Sequence, residues 1–230
     1  MNLKKLQAAL ADFRLFLEAE SHFPDLFIYE SQKIWRERWD VEAIDFGKMY
    51  DQSLQNSQSR RLWVGENFFP KEMMLKFIGL QKEYVRLAFR DLFNESKDIS
   101  GRMDRFIFYC DELLGEYKSV HPKSVENRHF HDENYHMISL YLAFEFPENY
   151  TFYDLPVFQK MLAALAAPDI PQANDAERYF KVMRTIFKFM QKDEALLAAH
   201  QKRLDPALHY TDTSLLLCWE FGKFLTSRFK

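Results

Sequence analysis

The sequence predicts a mainly α-helical protein, a compact multi-helix domain with at most one or two very short strands. Three observations point there. The 230 residues include only 6 Gly and 8 Pro, too few for the many tight turns of a sandwich, barrel or meander. Apolar residues recur at spacings of three and four along most of the chain, which is the helical period. The 23 Phe, 11 Tyr and 4 Trp fall mostly on those stripes, where they read as core.

Taken in order, Leu3, Leu6, Leu10, Phe13 and Leu17 form one stripe, and His22-Phe23-Pro24 should end that helix. A second helix is expected over Leu26–Trp39, and a third over Glu42–Leu54 with Asp40 as N-cap, its short carboxylate accepting an orphan N–H. The polar run Gln55–Arg61 reads as a loop, and Leu62–Phe69 as a short, irregular, extended piece. Pro70 suits a first helical turn, where its missing N–H costs nothing, so helices should cover Lys71–Leu80 and then Tyr84–Phe93. Asp98 or Ser100 can cap a long helix carrying Met103, Phe106, Ile107, Cys110, Leu113, Leu114 and Tyr117 on one face. Lys118–Tyr135 is the longest polar stretch. Met137–Phe146 is apolar nearly all round, the pattern of a helix buried on every side, and Pro147 stops it. Tyr150–Tyr153 has strand composition but only four residues. Further helices are expected over Leu155–Ala166, Asp175–Met190, Asp193–Leu204 and Thr213–Phe229. Residues 1–230 read as a single domain, with 167–172 as the best place for a subdivision.

The formal charge of −3 is shared evenly by the two halves, so no basic arm or acidic tail marks a strongly electropositive nucleic-acid binder. Cys110 and Cys218 sit in apolar helical patterns and read as reduced, buried thiols. No apolar run approaches the ~20 residues of a membrane span, and the N-terminus leads into an amphipathic helix rather than a signal sequence. A cytoplasmic protein without membrane contact is expected. Neither G-x-G-x-x-G nor G-x-x-x-x-G-K-[ST] occurs, so no Gly-rich phosphate cradle is present. No cofactor and no catalytic residue is expected.

Three constellations carry candidate chemistry. His129, His131, Asp132 and His136 are ligand-type residues in a polar stretch; a zinc site needs three or four such groups converging at ~2 Å, and the same stretch also offers Asp132 or Asn134 as an ordinary N-cap. Asp111 with Glu116-x-Lys118 has the spacing of a nuclease metal motif, but that chemistry needs a strand to align the side chains, and here the pattern is helical. Arg60, Arg61 and Trp63 pair cations with an aromatic, the combination that contacts phosphate and stacks on an exposed base. Since most Phe residues are accounted for as core, the informative aromatics lie outside helices, around Trp63–Phe69 and Phe130–Tyr135.

Several segments taken together resemble one family. They are Trp35-Arg36-Glu37-Arg38-Trp39-Asp40, Asn67-Phe68-Phe69-Pro70-Lys71-Glu72-Met73, Val85-Arg86-Leu87-Ala88-Phe89-Arg90-Asp91-Leu92-Phe93-Asn94-Glu95-Ser96, Phe146-Pro147-Glu148-Asn149-Tyr150 and, near the end, Leu204-Asp205-Pro206 and Trp219-Glu220-Phe221. Their order, from Tyr29 to the C-terminus, is similar to the region preceding the motor in McrB-type AAA ATPases of modification-dependent restriction systems. The resemblance implies a non-catalytic domain that recognises DNA, often modified, beside a motor and a nuclease subunit. The motor itself is absent from this sequence, so no NTP site is implied. The working surface expected on this reading comprises Arg60, Arg61, Trp63, His129, His131 and Tyr135. Two alternatives stay open: a protein-interaction or oligomerisation module without DNA contact, and a metal-dependent nuclease built on His129, His131, Asp132 and His136.

Overall fold

The most apolar stretch of the sequence forms the pillar of the fold. In a computed structural model, which describes residues 1–19, 25–132 and 134–227, helix α6 (His136–Glu145) buries every side chain from Met137 to Phe144. Each fully buried large apolar side chain contributes about 1.5–3 kcal/mol of transfer free energy, which is why such a segment takes the centre. The other helices are α1 (Leu3–Ala19), α2 (Phe27–Arg38), α3 (Phe46–Ser53), α4 (Pro70–Leu92), α5 (Ile99–Val120), α7 (Leu155–Ala164), α8 (Ala176–Met190), α9 (Glu194–Lys202) and α10 (Leu216–Ser227). The protein is all-α, as expected; among the described residues the only β pairing is an isolated bridge between Gly65 and Phe68.

Helix α2 lies against α6 and α3, α3 against α4, and α4 along α5. Helix α10 packs on α7 and α8, and α1 covers α9 and α10. The buried apolar residues form one cluster that runs from Leu6 to Leu225 across the proposed subdivision at 167–172. Trp35 anchors the α2–α6 contact. It is fully buried, stacks on Trp39 at 4.2 Å and donates its indole N–H to Glu145 Oε2 at 2.9 Å.

Aspartate starts five of the helices: Asp45, Asp98, Asp154, Asp175 and Asp193 each accept a backbone N–H from three residues ahead. This satisfies donors that the helix itself leaves orphaned.

Three expectations are corrected. Helix α3 starts four residues later than expected, capped by Asp45 and not Asp40, whose carboxylate closes a turn on Glu42 N instead. The two helices expected over 71–80 and 84–93 are present; they run on as α4 with a break at Gln81, where φ −143° and ψ 64° leave the helical region. Neither Asp132 nor Asn134 caps α6; Tyr135 occupies that position with φ 56° and no side-chain cap. Tyr150–Tyr153 is a buried irregular segment whose backbone bonds to side chains, Tyr153 N to Ser139 Oγ at 2.8 Å and Phe152 O to the Tyr179 hydroxyl. The expected end of the first helix at His22-Phe23-Pro24, and that of the last at Phe229, lie outside the described residues.

Candidate functional site

The two aromatic segments outside helices converge on one face. The first, residues 55–69, leaves α3 through a loop organised by Asn56. The Asn56 side chain accepts from Gln58 N and Ser59 N and donates to Ser31 Oγ and the Ser59 carbonyl. Lys71 then ties the loop down. Its ammonium reaches the Asp51 and Leu54 carbonyls at the end of α3 and the Asp51 carboxylate at 2.8 Å, beneath which Trp63 is buried. Burial lowers the Lys71 pKa, and the Asp51 contact works against that. Past Trp63 the chain turns back at Gly65–Phe68, with backbone bonds in both directions between those two residues. Asn67 takes φ 55° there, a conformation Asn tolerates better than most residues. The turn leaves Phe69 40 % exposed.

The second segment follows α5. Lys76 of α4 pairs with Glu126 and holds this stretch against the helix. The contact with Lys76, followed by the Ser124 hydroxyl, pulls the Glu126 pKa down to about 2. Phe130 adopts φ 66° and presents its ring to Phe68 at 5.9 Å and Phe69 at 6.3 Å. The Arg128 guanidinium lies 5.5 Å from the Phe130 ring centre. Between the segments opens a groove of about 520 Å³, lined by Asn67, Phe69, Met73, Lys76, Arg128 and Phe130 among others. A second hollow of about 290 Å³ adjoins it across Phe69 and Glu72 and carries Arg60 and Lys71. His136 fastens the two segments together, its ring N–H bonding to the Leu62 carbonyl at 2.9 Å.

The expected working residues are therefore distributed. Arg60 reaches the smaller hollow. Arg61 is exposed but turned to Phe27 and Asp25, 5.3 Å from the ring centre and 3.9 Å from the carboxylate. Trp63, His129 and His131 are buried, so none offers a ring face to solvent. Tyr135 is half-buried, packs on Tyr153 and donates to Asp104 at 3.1 Å. Burial and then Asp104 push its pKa up to about 12. Phe69 and Phe130, the aromatics that line the groove, lie in the two segments singled out by sequence, although neither was among the named residues. Asn67 lies in a segment quoted for the family resemblance, and Arg128 had no signal of its own.

The histidines divide as well. His136 stands apart on Leu62, while His129 and His131 meet a third partner from α5. One ligand-type atom from each of Cys110, His129 and His131 lies within 4.8 Å of the other two, and all three residues are buried. The sequence had given Cys110 no role beyond packing. The expected set of His129, His131, Asp132 and His136 is thus not the set that converges. His131 donates from Nδ1 to the His129 carbonyl at 2.8 Å, and its Nε2 faces the Tyr141 hydroxyl at 3.1 Å. His129 accepts the His131 amide on Nδ1 at 3.0 Å and turns Nε2 to Asp111 Oδ1 at 3.1 Å. Burial pushes the His131 pKa down to about 3, so the ring is neutral. Burial, then the charges of Asp111 and Asp132, raises the Cys110 thiol. Asp111, Glu116 and Lys118 all lie on helix α5, without the strand a nuclease motif needs. Among the described residues no helix is long and apolar enough to cross a membrane. No family model, curated protein or solved structure matches the chain.

Proposed function

We propose that this chain is a recognition module and that the groove between Phe69 and Phe130 binds DNA, as a targeting domain of an McrB-like restriction system. The observation that carries this reading is the convergence of the two non-helical aromatic segments. They make an open cavity of about 520 Å³, within the ~300–1,000 Å³ of small-ligand sites. A partly exposed Phe69 provides a face on which a base can stack, at about 1–3 kcal/mol per base. Arg60 and Arg128 flank it as phosphate contacts, and Asn67 supplies an amide to a base edge. The family resemblance through Asn67-Phe68-Phe69-Pro70 supports the same surface.

A second reading rests on charge. Glu72 and Glu126 share the groove wall with Lys76, and Val125 beside them is 85 % exposed. Mixed charge around an apolar floor also suits a protein segment.

Fluorescence polarisation with labelled single strands and with plain and methylated duplexes tests the proposal. Binding should weaken steeply with salt, because phosphate neutralisation releases counterions. Phe69→Ala should cost about 1–3 kcal/mol, and Arg60→Ala should reduce the salt slope by about 1. Absence of salt-dependent binding to any of these probes at low ionic strength overturns it, and retention of a partner through the same face then favours the second reading.

A further inference from the structure

We propose that Cys110, His129 and His131 hold one zinc ion, which clamps the segment carrying Phe130 onto helix α5. The three residues come from two parts of the chain and converge in a buried place. Thiolate and imidazole are the ligands that structural zinc sites use.

The hydrogen bonds have already sorted the imidazole nitrogens. His131 keeps its proton on Nδ1, anchored on the His129 carbonyl, which leaves the lone pair on Nε2. His129 keeps its proton on Nε2, facing the Asp111 carboxylate, which leaves the lone pair on Nδ1. Each ring thus has one anchored N–H and one donor nitrogen. That is the outer-shell arrangement that orients metal-bound histidines. A metal on these two nitrogens would take the place of their present partners, the His131 amide and the Tyr141 hydroxyl.

Charge points the same way. Zinc takes cysteine as the thiolate, so the Cys110 proton leaves to solvent on binding. One thiolate leaves a single positive charge on the centre. The carboxylates of Asp111 and Asp132 lie close enough to act electrostatically on the thiol, and one of them balances that charge.

Phe130 lies between the two histidines and adopts φ 66°, a conformation that for a non-glycine residue persists only where its surroundings over-determine it. Two ligands flanking it provide that. The consequence for the groove rests on the recognition reading; the metal site itself does not.

The test uses the full chain. Purified protein, stripped with a chelator and returned to zinc, should retain about one zinc per chain through gel filtration. Cobalt in its place should give a tetrahedral visible spectrum with a near-ultraviolet thiolate-to-cobalt band. Cys110→Ser should abolish that band, Asp111→Asn should weaken affinity about 10–100-fold, and His136→Gln should leave both unchanged. The wild-type spectrum keeps the proposal falsifiable if a variant fails to fold. Sub-stoichiometric zinc in the wild type, or a cobalt spectrum without the thiolate band, overturns it. So does an intense visible thiolate-to-copper band from metal carried through purification, since two histidines and a cysteine also suit copper. Loss of DNA binding with zinc retained would overturn only the recognition reading.

Discussion

Glu220 shows what single buried residues do in this molecule. It accepts from the Tyr29 hydroxyl at 2.6 Å and from Arg203 Nη1 at 2.9 Å, and both it and Arg203 are largely withdrawn from water. Glu220→Gln leaves the Arg203 cation buried without its counter-charge, so urea denaturation should show a loss of about 3–5 kcal/mol. His200 adds a pH dependence at the same cluster. Burial, and secondarily the charge of Arg203, pushes its pKa down to about 3 from an ordinary 6.5. The folded state therefore keeps His200 neutral while the unfolded chain takes up a proton near pH 6.5. The stability this contributes is complete above pH 6.5 and is lost as pH falls from 6.5 toward 3. Between pH 7.5 and 5 the loss from this residue should reach at most about 2 kcal/mol, at 1.36 kcal/mol per unit. His200→Gln should flatten that limb, and an unchanged slope would refute the assignment. Such residues were illegible beforehand, because their burial depends on partners far along the chain: Tyr29 and Glu220 are 191 positions apart. The meeting of Cys110 with His129 and His131 was hidden for the same reason, since periodicity places a residue in an element and says nothing of which elements meet.

At the scale of elements the sequence was far more readable. The 3-4 spacing of Leu6, Leu10, Phe13 and Leu17 is the buried face of α1, and the all-apolar Met137–Phe144 is the buried pillar. What failed was the choice among local caps. Asp40 and Asp45 are equivalent in propensity, and tertiary packing of Phe46 and Met49 starts the helix at the later one. Asp45→Ala should therefore cost about 1 kcal/mol of stability and Asp40→Ala only a few tenths, measured as shifts in thermal midpoint. Helix interiors offer the opposite test. Gly115 is exposed in α5, has no positive φ, and an added Cβ would meet nothing within 4 Å. Gly115→Ala should stabilise by about 0.5–1 kcal/mol through helix propensity alone. Gly101 in the same helix should not show this gain, because a Cβ there would come within 2.8 Å of the capping Asp98 carboxylate.

Over the whole molecule, the segment 167–172 is a connection across which the fold remains tied. Tyr210 N bonds to the Tyr29 carbonyl at 3.0 Å and Leu215 N to the Pro147 carbonyl at 2.8 Å. Lys223 pairs with Asp25 at 2.6 Å, and Arg184 donates to the Asn149 carbonyl at 3.0 Å. Helix α1 buries its stripe on α9 and α10, beyond the connection, rather than on its sequence neighbours. Removing residues past 172 would uncover Leu6, Leu10, Phe13 and Leu17 together and strip Tyr29 of its carboxylate partner. Each buried apolar side chain so uncovered forfeits about 1.5–3 kcal/mol, against a total stability of only ~5–15 kcal/mol. The two parts should accordingly melt as one: differential scanning calorimetry should give equal calorimetric and van't Hoff enthalpies in a single transition. A chain nicked by protease within 167–172 should elute as one species, and the isolated 1–170 fragment should lack cooperative unfolding. Two resolved transitions, or a folded 1–170 fragment, would establish two domains in place of the continuous core.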